Sequence, residues 1–390
     1  MRKWKRSEVV AHLARCYANP FYKRTSPSET NPEVRFPGRH TTYMMKQKSG
    51  TWKETAAQTR EDLDHNPYLF IVGCARSGTT LVRRIVDAHP EMAITTEMHW
   101  ISHYLNYFKN QNRLVTPKLV SELAGHKRFA QFEIPREEFE GLLGSGETIP
   151  YPTFLNRVFG LYGKIKNKPL VGNKTPAYVR RIPTLHALWP DAKFVHIIRD
   201  GRDVCLSILN WKKAERTAGR YASWEEDPVS TTALWWERKV RKAREDGAAL
   251  GPGLYHEMLY EDLVEDPERE CKRLCEFLGV PYDDAMIRFA EGKTRTDLPN
   301  ARKTPKKAWL PITSGMRNWR TEMPVKDVER FEAAAGNLLE ELGYERSFSR
   351  PPPQALEHAT RIRKTFSRDV QEREEHPPER WWQQTRMSSS

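Results

Sequence analysis

Two short stretches of this chain carry residue types that could act together on an anion. The first is Gly73-Cys74-Ala75-Arg76-Ser77-Gly78-Thr79-Thr80, directly after the apolar run Tyr68-Leu69-Phe70-Ile71-Val72. A glycine-containing turn between a strand and a helix lets successive backbone N–H groups aim at one anion. The helix N-terminus adds partial positive charge at the same place. Ser77, Thr79 and Thr80 add hydroxyl donors, and Arg76 adds a cation. The Gly-x4-Gly spacing is that of a P-loop, but Thr79 stands where the loop lysine would reach the outer phosphates of a triphosphate. No acidic strand end is evident to hold magnesium. The pattern argues for a ligand with fewer phosphates and no metal. The second stretch is Arg199-Asp200-Gly201-Arg202-Asp203-Val204-Cys205-Leu206-Ser207. With Arg199 at a strand end and Ser207 on the following helix, a guanidinium fork and a short hydroxyl can grip one phosphate. Arg202 and Asp203 read as surface residues that pair with each other.

These groups need rigid elements behind them. Tyr68–Val72 and Lys193–Ile198 read as buried strands, and Leu254–Leu259 as a third strand. A helix is expected from Thr79 to Ala88, and another from about Arg202. A third opens at Pro267, with Asp266 as its cap and Gly279 past its end. Val328, Phe331, Ala335, Leu338, Leu339 and Leu342 mark one late amphipathic helix that stops at Gly343. Strands alternating with helices predict an α/β fold of three layers, a central parallel sheet with helices on both faces. Such sheets bind ligands beyond the carboxyl ends of their strands.

The 390 residues suffice for one large domain with extensions. Residues 1–65 read as a basic extension broken by Pro20, Pro27, Pro32 and Pro37, with a short helix from Ser7 to Cys16. Residues 66–345 form the domain. Residues 346–390 read as a polar, mobile tail with Trp381 and Trp382 near its end. Lysine and arginine exceed aspartate and glutamate by 13, which suggests anionic partners. The five cysteines lack zinc-ribbon spacing, and Cys271 and Cys275 read as buried thiols. An odd cysteine count, no secretory leader and no bilayer-length apolar run lead to the expectation of a cytoplasmic protein.

The two anion-binding stretches resemble the 5′-phosphosulfate and 3′-phosphate motifs of sulfotransferases that use 3′-phosphoadenosine 5′-phosphosulfate. Three further stretches are similar to the bacterial and tyrosylprotein-sulfotransferase-like branch: Gly172-Asn173-Lys174-Thr175-Pro176, Tyr260-Glu261-Asp262-Leu263-Val264, and Gly315-Met316-Arg317-Asn318-Trp319-Arg320. The resemblance spans about residues 66–345. It implies a P-loop-type parallel sheet and transfer of a sulfuryl group, without metal, to a hydroxyl on a glycan, a peptide tyrosine or a small molecule. Cytosolic small-molecule sulfotransferases carry lysine where Arg76 stands here, so steroid and phenol acceptors are not expected.

The resemblance also implies roles for single residues. Ala75, Arg76, Ser77, Gly78, Thr79 and Thr80 would hold the 5′-phosphosulfate, and Arg199 and Ser207 the 3′-phosphate. Tyr260 and Trp319 would pack around the adenosine, with Arg317 in a late loop that closes on the nucleotide. Arg76 and Lys174 would meet the sulfuryl or bridging oxygen, and Ser314 could donate to the bridging oxygen. Glu97 stands where this branch places its general base, with His99 as the competing candidate because imidazole has the more suitable pKa. Residues 98–165 form an insertion that shapes the acceptor pocket. Within it Trp100, Tyr104 and Phe108, with Tyr107 beside them, make an aromatic stripe that reads as core. Two other classes compete. A P-loop kinase would need the missing lysine and magnesium ligands. A basic nucleic-acid-binding protein would need exposed aromatics among its cations, and nucleic acid is not expected as a partner.

Overall fold

The computed structural model describes residues 66–99, 101, 104, 114–125, 129, 132–291, 312 and 317–375, and structural statements below concern these residues. Five parallel strands build the sheet: β1 (Leu69–Gly73), β2 (Met92–Thr95), β3 (Leu170–Lys174), β4 (Lys193–Ile198) and β5 (Tyr255–Leu259). Their order across the sheet is β2-β3-β1-β4-β5. The helices that position the site are α1 (Thr79–Ala88), α2 (Tyr151–Lys166), α3 (Ile182–Leu188), α4 (Gly201–Leu209), α5 (Pro228–Leu250), α6 (Pro267–Leu278), α7 (Val325–Ala335) and α8 (Pro353–Glu375).

Alternation along each strand sends side chains to opposite faces. Leu69, Ile71, Met92, Ile94, Val195, Ile197 and Met258 pack with Val82, Ile85 and Val86 of α1 and with Cys271, Leu274 and Leu278 of α6. Phe70, Val72, Ala93, Val171 and Phe194 face the other way, onto Phe154 and Phe159 of α2, Leu185 of α3 with Trp189 just beyond it, and Ala243 of α5. Both faces are therefore covered, as the α/β reading requires. Helix α1 has the expected bounds. Helix α6 opens at Pro267 with the Asp266 side chain accepting from the Arg269 N–H, and ends at a left-handed Gly279.

Four features differ from the sequence reading. Strands β2 and β3 were not foreseen: β2 has four residues, and β3 ends in Asn173 and Lys174, both buried. The late amphipathic helix is broken at Gly336, whose φ of 61° no helix accommodates; a short turn of helix, Leu338–Glu341, follows. The expected mobile tail instead contributes α8. It buries Ala355, Ala359, Ile362 and Phe366, the last three against the core that holds Trp235, Phe331 and Leu338. Polar contacts fasten it too: His358 Nε2 lies 2.7 Å from Asp227 Oδ2, and Arg363 pairs with Glu237 at 2.9 Å. Finally, Arg202 and Asp203 are buried and do not pair with each other, as described below. The Ser7–Cys16 helix, Trp100, Tyr107, Phe108, Ser314, Trp381 and Trp382 lie outside the described residues. Tyr104 packs against the core on the α2 side. The four described cysteines are buried and unpaired. Cys275 Sγ lies 3.4 Å from Met286 Sδ, which agrees with a thiol in the core.

Candidate active site

The carboxyl ends of all five strands deliver a chemically active residue to one edge of the sheet. Strand β1 leads into the anion loop, β2 into Glu97, β3 ends at Lys174, β4 leads into Arg199 and β5 into Tyr260. Register fixes their neighbourhood: Lys174 is the partner of Ile71, Asn173 of Thr95, and Ile198 of Leu259.

In the loop after β1, Arg76 and Gly78 have φ of 77° and 94°. Left-handed residues here turn consecutive N–H groups inward, a concave anion nest. Gly78 caps α1 without any side-chain acceptor, so the first N–H groups of that helix await one. A side chain at Gly78 would meet the Tyr260 ring at 2.6 Å, so glycine is required and Tyr260 covers the loop. Ser77 is fully buried and its Oγ has no hydrogen-bond partner among the described residues. Thr79 is buried beneath the loop, Ala75 is half-buried and Thr80 faces solvent.

Two more arginines converge on Arg76. Its Nε donates to Ser207 Oγ at 2.9 Å, and its guanidinium lies 5.5 Å from the Trp211 ring centre. Burial lowers its pKa, and the charges of Arg317 and Arg199 lower it further. Arg199 lies 4.2 Å over the Tyr260 ring and donates through Nη2 to Asp203 at 3.0 Å. Its Nε is buried with no partner among the described residues. Arg76 repelled by Arg199 and Arg317, a buried unpaired hydroxyl and a buried unpaired N–H suit a multiply charged anion, and these groups fit a nucleotide with phosphates at both ends. Asp200 is an acid at a strand end that the sequence reading passed over. Its oxygens are taken by the Arg202 side chain and the Arg202 N–H, at 2.8 to 3.0 Å. The described residues contain no group of three or more metal-ligating side chains.

Trp319 is buried, but its ring is met by guanidiniums: Arg202 at 3.6 Å and Arg320 at 4.6 Å. Its backbone N–H donates to Asp203 Oδ1 at 2.9 Å. This seats the segment that carries Arg317.

On the other flank Glu97 is bracketed by two bases. Lys174 Nζ donates to its Oε1 at 2.8 Å, and His99 Nε2 lies 2.9 Å from its Oε2. Burial alone would raise the Glu97 carboxyl, but the His99 hydrogen bond and the Lys174 ammonium hold it well below the usual carboxylate range. Burial in turn lowers the Lys174 ammonium, with Glu97 opposing. Sequence reasoning missed what holds this loop. Asn173 Nδ2 donates to Thr95 Oγ1 and to the Thr96 carbonyl, at 2.8 and 3.0 Å. Thr175 Oγ1 donates to Asn173 Oδ1 and accepts from the Met98 N–H. The signal was present in Asn173-Lys174-Thr175, two short polar residues flanking the cation at a strand end.

Comparison with known proteins agrees with this arrangement. The profile of the Sulfotransferase family matches residues 67–284, which is more than half the chain. The chain belongs to the sulfotransferase family. This sulfotransferase is 25% identical over 289 residues to Protein-tyrosine sulfotransferase A of Caenorhabditis elegans, covering 73% of the chain and 69% of the relative. It is 25% identical over 307 residues to Protein-tyrosine sulfotransferase 1 of Homo sapiens, covering 76% of each. It stands on the tyrosylprotein-sulfotransferase-like branch. The solved sulfotransferase domain from the curacin biosynthetic pathway aligns with a TM-score of 0.50 at 20% identity, covering 72% of this chain and 98% of that one, and shows the shared fold. The expectation of a cytoplasmic protein is corrected by these relatives, since protein-tyrosine sulfotransferases are Golgi membrane enzymes. No described helix is long and apolar enough to cross a membrane.

Proposed function

We propose that this sulfotransferase takes its sulfuryl group from 3′-phosphoadenosine 5′-phosphosulfate and passes it to a tyrosyl hydroxyl, with Glu97 as general base. The observation that carries the donor reading is the convergence of Arg76, Arg199 and Arg317 at a lysine-less anion loop with Ser77 Oγ and Arg199 Nε unpaired. The loop N–H groups and Arg76 hold the 5′-phosphosulfate, Arg199 the 3′-phosphate, and Tyr260 covers the nucleotide. In transfer, the acceptor oxygen bonds to sulfur as the bond from sulfur to the phosphate oxygen breaks. Glu97 accepts the hydroxyl proton, and Lys174 and Arg76 balance charge on the leaving oxygen. A carboxylate held low is a weak base. Lys174 turning from Glu97 to the leaving oxygen relieves this, because losing that ammonium raises the Glu97 carboxyl while its charge follows the electrons.

For the acceptor, the relatives' names point to tyrosine, and the solvent-facing Arg180 and Arg220 support an anionic polypeptide around it. Arg180, Arg220 and Lys239 have no carboxylate partner among the described residues. Burial and then Arg180 push the Lys239 ammonium down to about 7, with Cys74 of the anion loop opposing. Unpaired cations at the loop's flank suit acidic side chains next to the modified residue.

The test is calorimetry with 3′-phosphoadenosine 5′-phosphate, adenosine 5′-phosphate and ATP in the presence of chelator, then transfer assays on acidic tyrosine peptides and on glycans. Tight binding that needs the 3′-phosphate and weakens in Arg199→Ala supports the donor. Preference for ATP with magnesium refutes it and favours a kinase. Transfer to glycans alone refutes the tyrosyl acceptor.

A further inference from the structure

We propose that Asp203 is a positioning residue that links the Arg199 anion subsite to the segment carrying Arg317, and thereby tunes selectivity for donors bearing a 3′-phosphate. This rests on the donor reading above. Asp203 lies on α4, one turn beyond Arg199, and its two oxygens serve two different segments. Oδ2 accepts from Arg199 Nη2 at 3.0 Å, and Oδ1 accepts from the Trp319 N–H at 2.9 Å, joining residues 116 positions apart.

The base under this link is rigid. Arg202, next to Asp203, is 1% exposed and lies 3.6 Å over the Trp319 ring. It is fixed by Asp200 and by Glu332 Oε1 of α7 at 2.7 Å. Trp319 is thus held by its backbone through Asp203 and by its ring through Arg202. Arg317, two residues earlier, comes close enough to Arg76 to lower its pKa.

Asp203 also orients Arg199. With Nη2 committed to Asp203, the guanidinium is fixed so that its buried, unpartnered Nε can donate to a ligand. An anion there lowers the repulsion among Arg76, Arg199 and Arg317, so it favours the same arrangement that Asp203 holds. Coupling of this kind is reciprocal: whatever seats Arg317 strengthens anion binding at Arg199, and the anion strengthens the seat. A donor without the 3′-phosphate gains nothing from the link.

The test is a calorimetric double-mutant cycle on the full chain with Asp203→Asn and Arg317→Ala, titrating 3′-phosphoadenosine 5′-phosphate and adenosine 5′-phosphate. Asparagine keeps the shape but cannot provide the charged acceptor Arg199 needs. Each single variant should bind the 3′-phosphorylated nucleotide about tenfold or more weakly, the scale of one charge-assisted hydrogen bond. Adenosine 5′-phosphate should change less than about twofold, and the double variant should lose little beyond the worse single variant. Additive losses, equal losses for both nucleotides, or an unchanged affinity in Asp203→Asn would overturn the inference. If Asp203→Asn does not fold, Arg317→Ala alone decides: equal weakening of both nucleotides overturns it. If the unmodified protein does not distinguish the two nucleotides, the donor reading fails and the inference with it. If it does distinguish them and the cycle is additive, only the inference fails.

Discussion

Lys239→Met keeps an unbranched side chain on Trp235, where the ammonium now lies 4.7 Å from the ring centre, and removes a cation from a buried place. Lys239 is 8% exposed, and burial, followed by Arg180, brings its pKa from 10.5 to about 7. At about 1.4 kcal/mol per tenfold change, keeping this lysine folded costs roughly 4 kcal/mol at pH 7 and roughly 2 kcal/mol at pH 9. The sign follows from proton counts. The folded value lies below the unfolded one, so between about 7 and 10.5 the unfolded chain binds more protons, and wild-type stability rises with pH across that window. Methionine lacks this dependence. Allowing about 1 kcal/mol for the lost cation–π contact, the variant should be about 3 kcal/mol more stable than wild type at pH 7, and about 1 kcal/mol at pH 9. Urea unfolding followed by circular dichroism at the two pH values measures both. A variant no more stable than wild type at pH 7, or an advantage that does not shrink by pH 9, refutes the reasoning.

Glu97→Gln should retain nucleotide affinity while kcat falls at least about a hundredfold, the usual range for a general base; near-normal turnover removes Glu97 from the chemistry. Because the carboxyl is held below its ordinary 4.5 in the free enzyme, the acid limb of kcat/KM should fall below 4.5, and that of kcat should lie higher once Lys174 has turned away; coincident limbs contradict that step. Asn173→Ala frees the Thr95–Glu97 turn from its hydrogen bonds and should lower kcat about tenfold or more without changing nucleotide affinity in single-turnover and calorimetric assays. Phe366→Ala empties a buried place beside Tyr221, 4.5 Å between ring centres, and should cost about 3 kcal/mol in denaturant unfolding; a neutral effect would mean α8 adds nothing to the core.

What was legible in the sequence and what was not divide along one physical line. Apolar runs announced β1 and β4, because a strand buried on both faces is largely apolar, whereas β5 is half-buried and carries His256 and Glu257 between its apolar positions. The anion loop and the ends of α6 were readable because glycine, proline and aspartate there have local backbone reasons. The missed pieces are places where burial is carried by polar groups. Strand β3 hides Asn173 and Lys174, whose bonds to Thr95, Thr96 and Glu97 replace water. Helix α8 buries four of its 23 residues in a helical stripe, and its charged neighbours mask them in any average over the segment.

Arg202 and Asp203 mark the same limit at the site itself. Charged residues in a turn after a strand are ordinarily solvated, so sequence alone pairs them with each other and with water. Here a ligand with charge at both ends needs arginines from separate segments held close together against their repulsion. Buried acids brace the arginines here: Asp200 and Asp203 come from the same turn as Arg202 and Arg199, and Glu332 reaches Arg202 from α7. Sequence spacing can place a guanidinium at a strand end, but it cannot say which carboxylate, 130 residues away in the case of Glu332, will face it. The donor groups on the five strand ends were therefore open to reading from local pattern, whereas the bracing that holds them open for an anion emerges only from the fold.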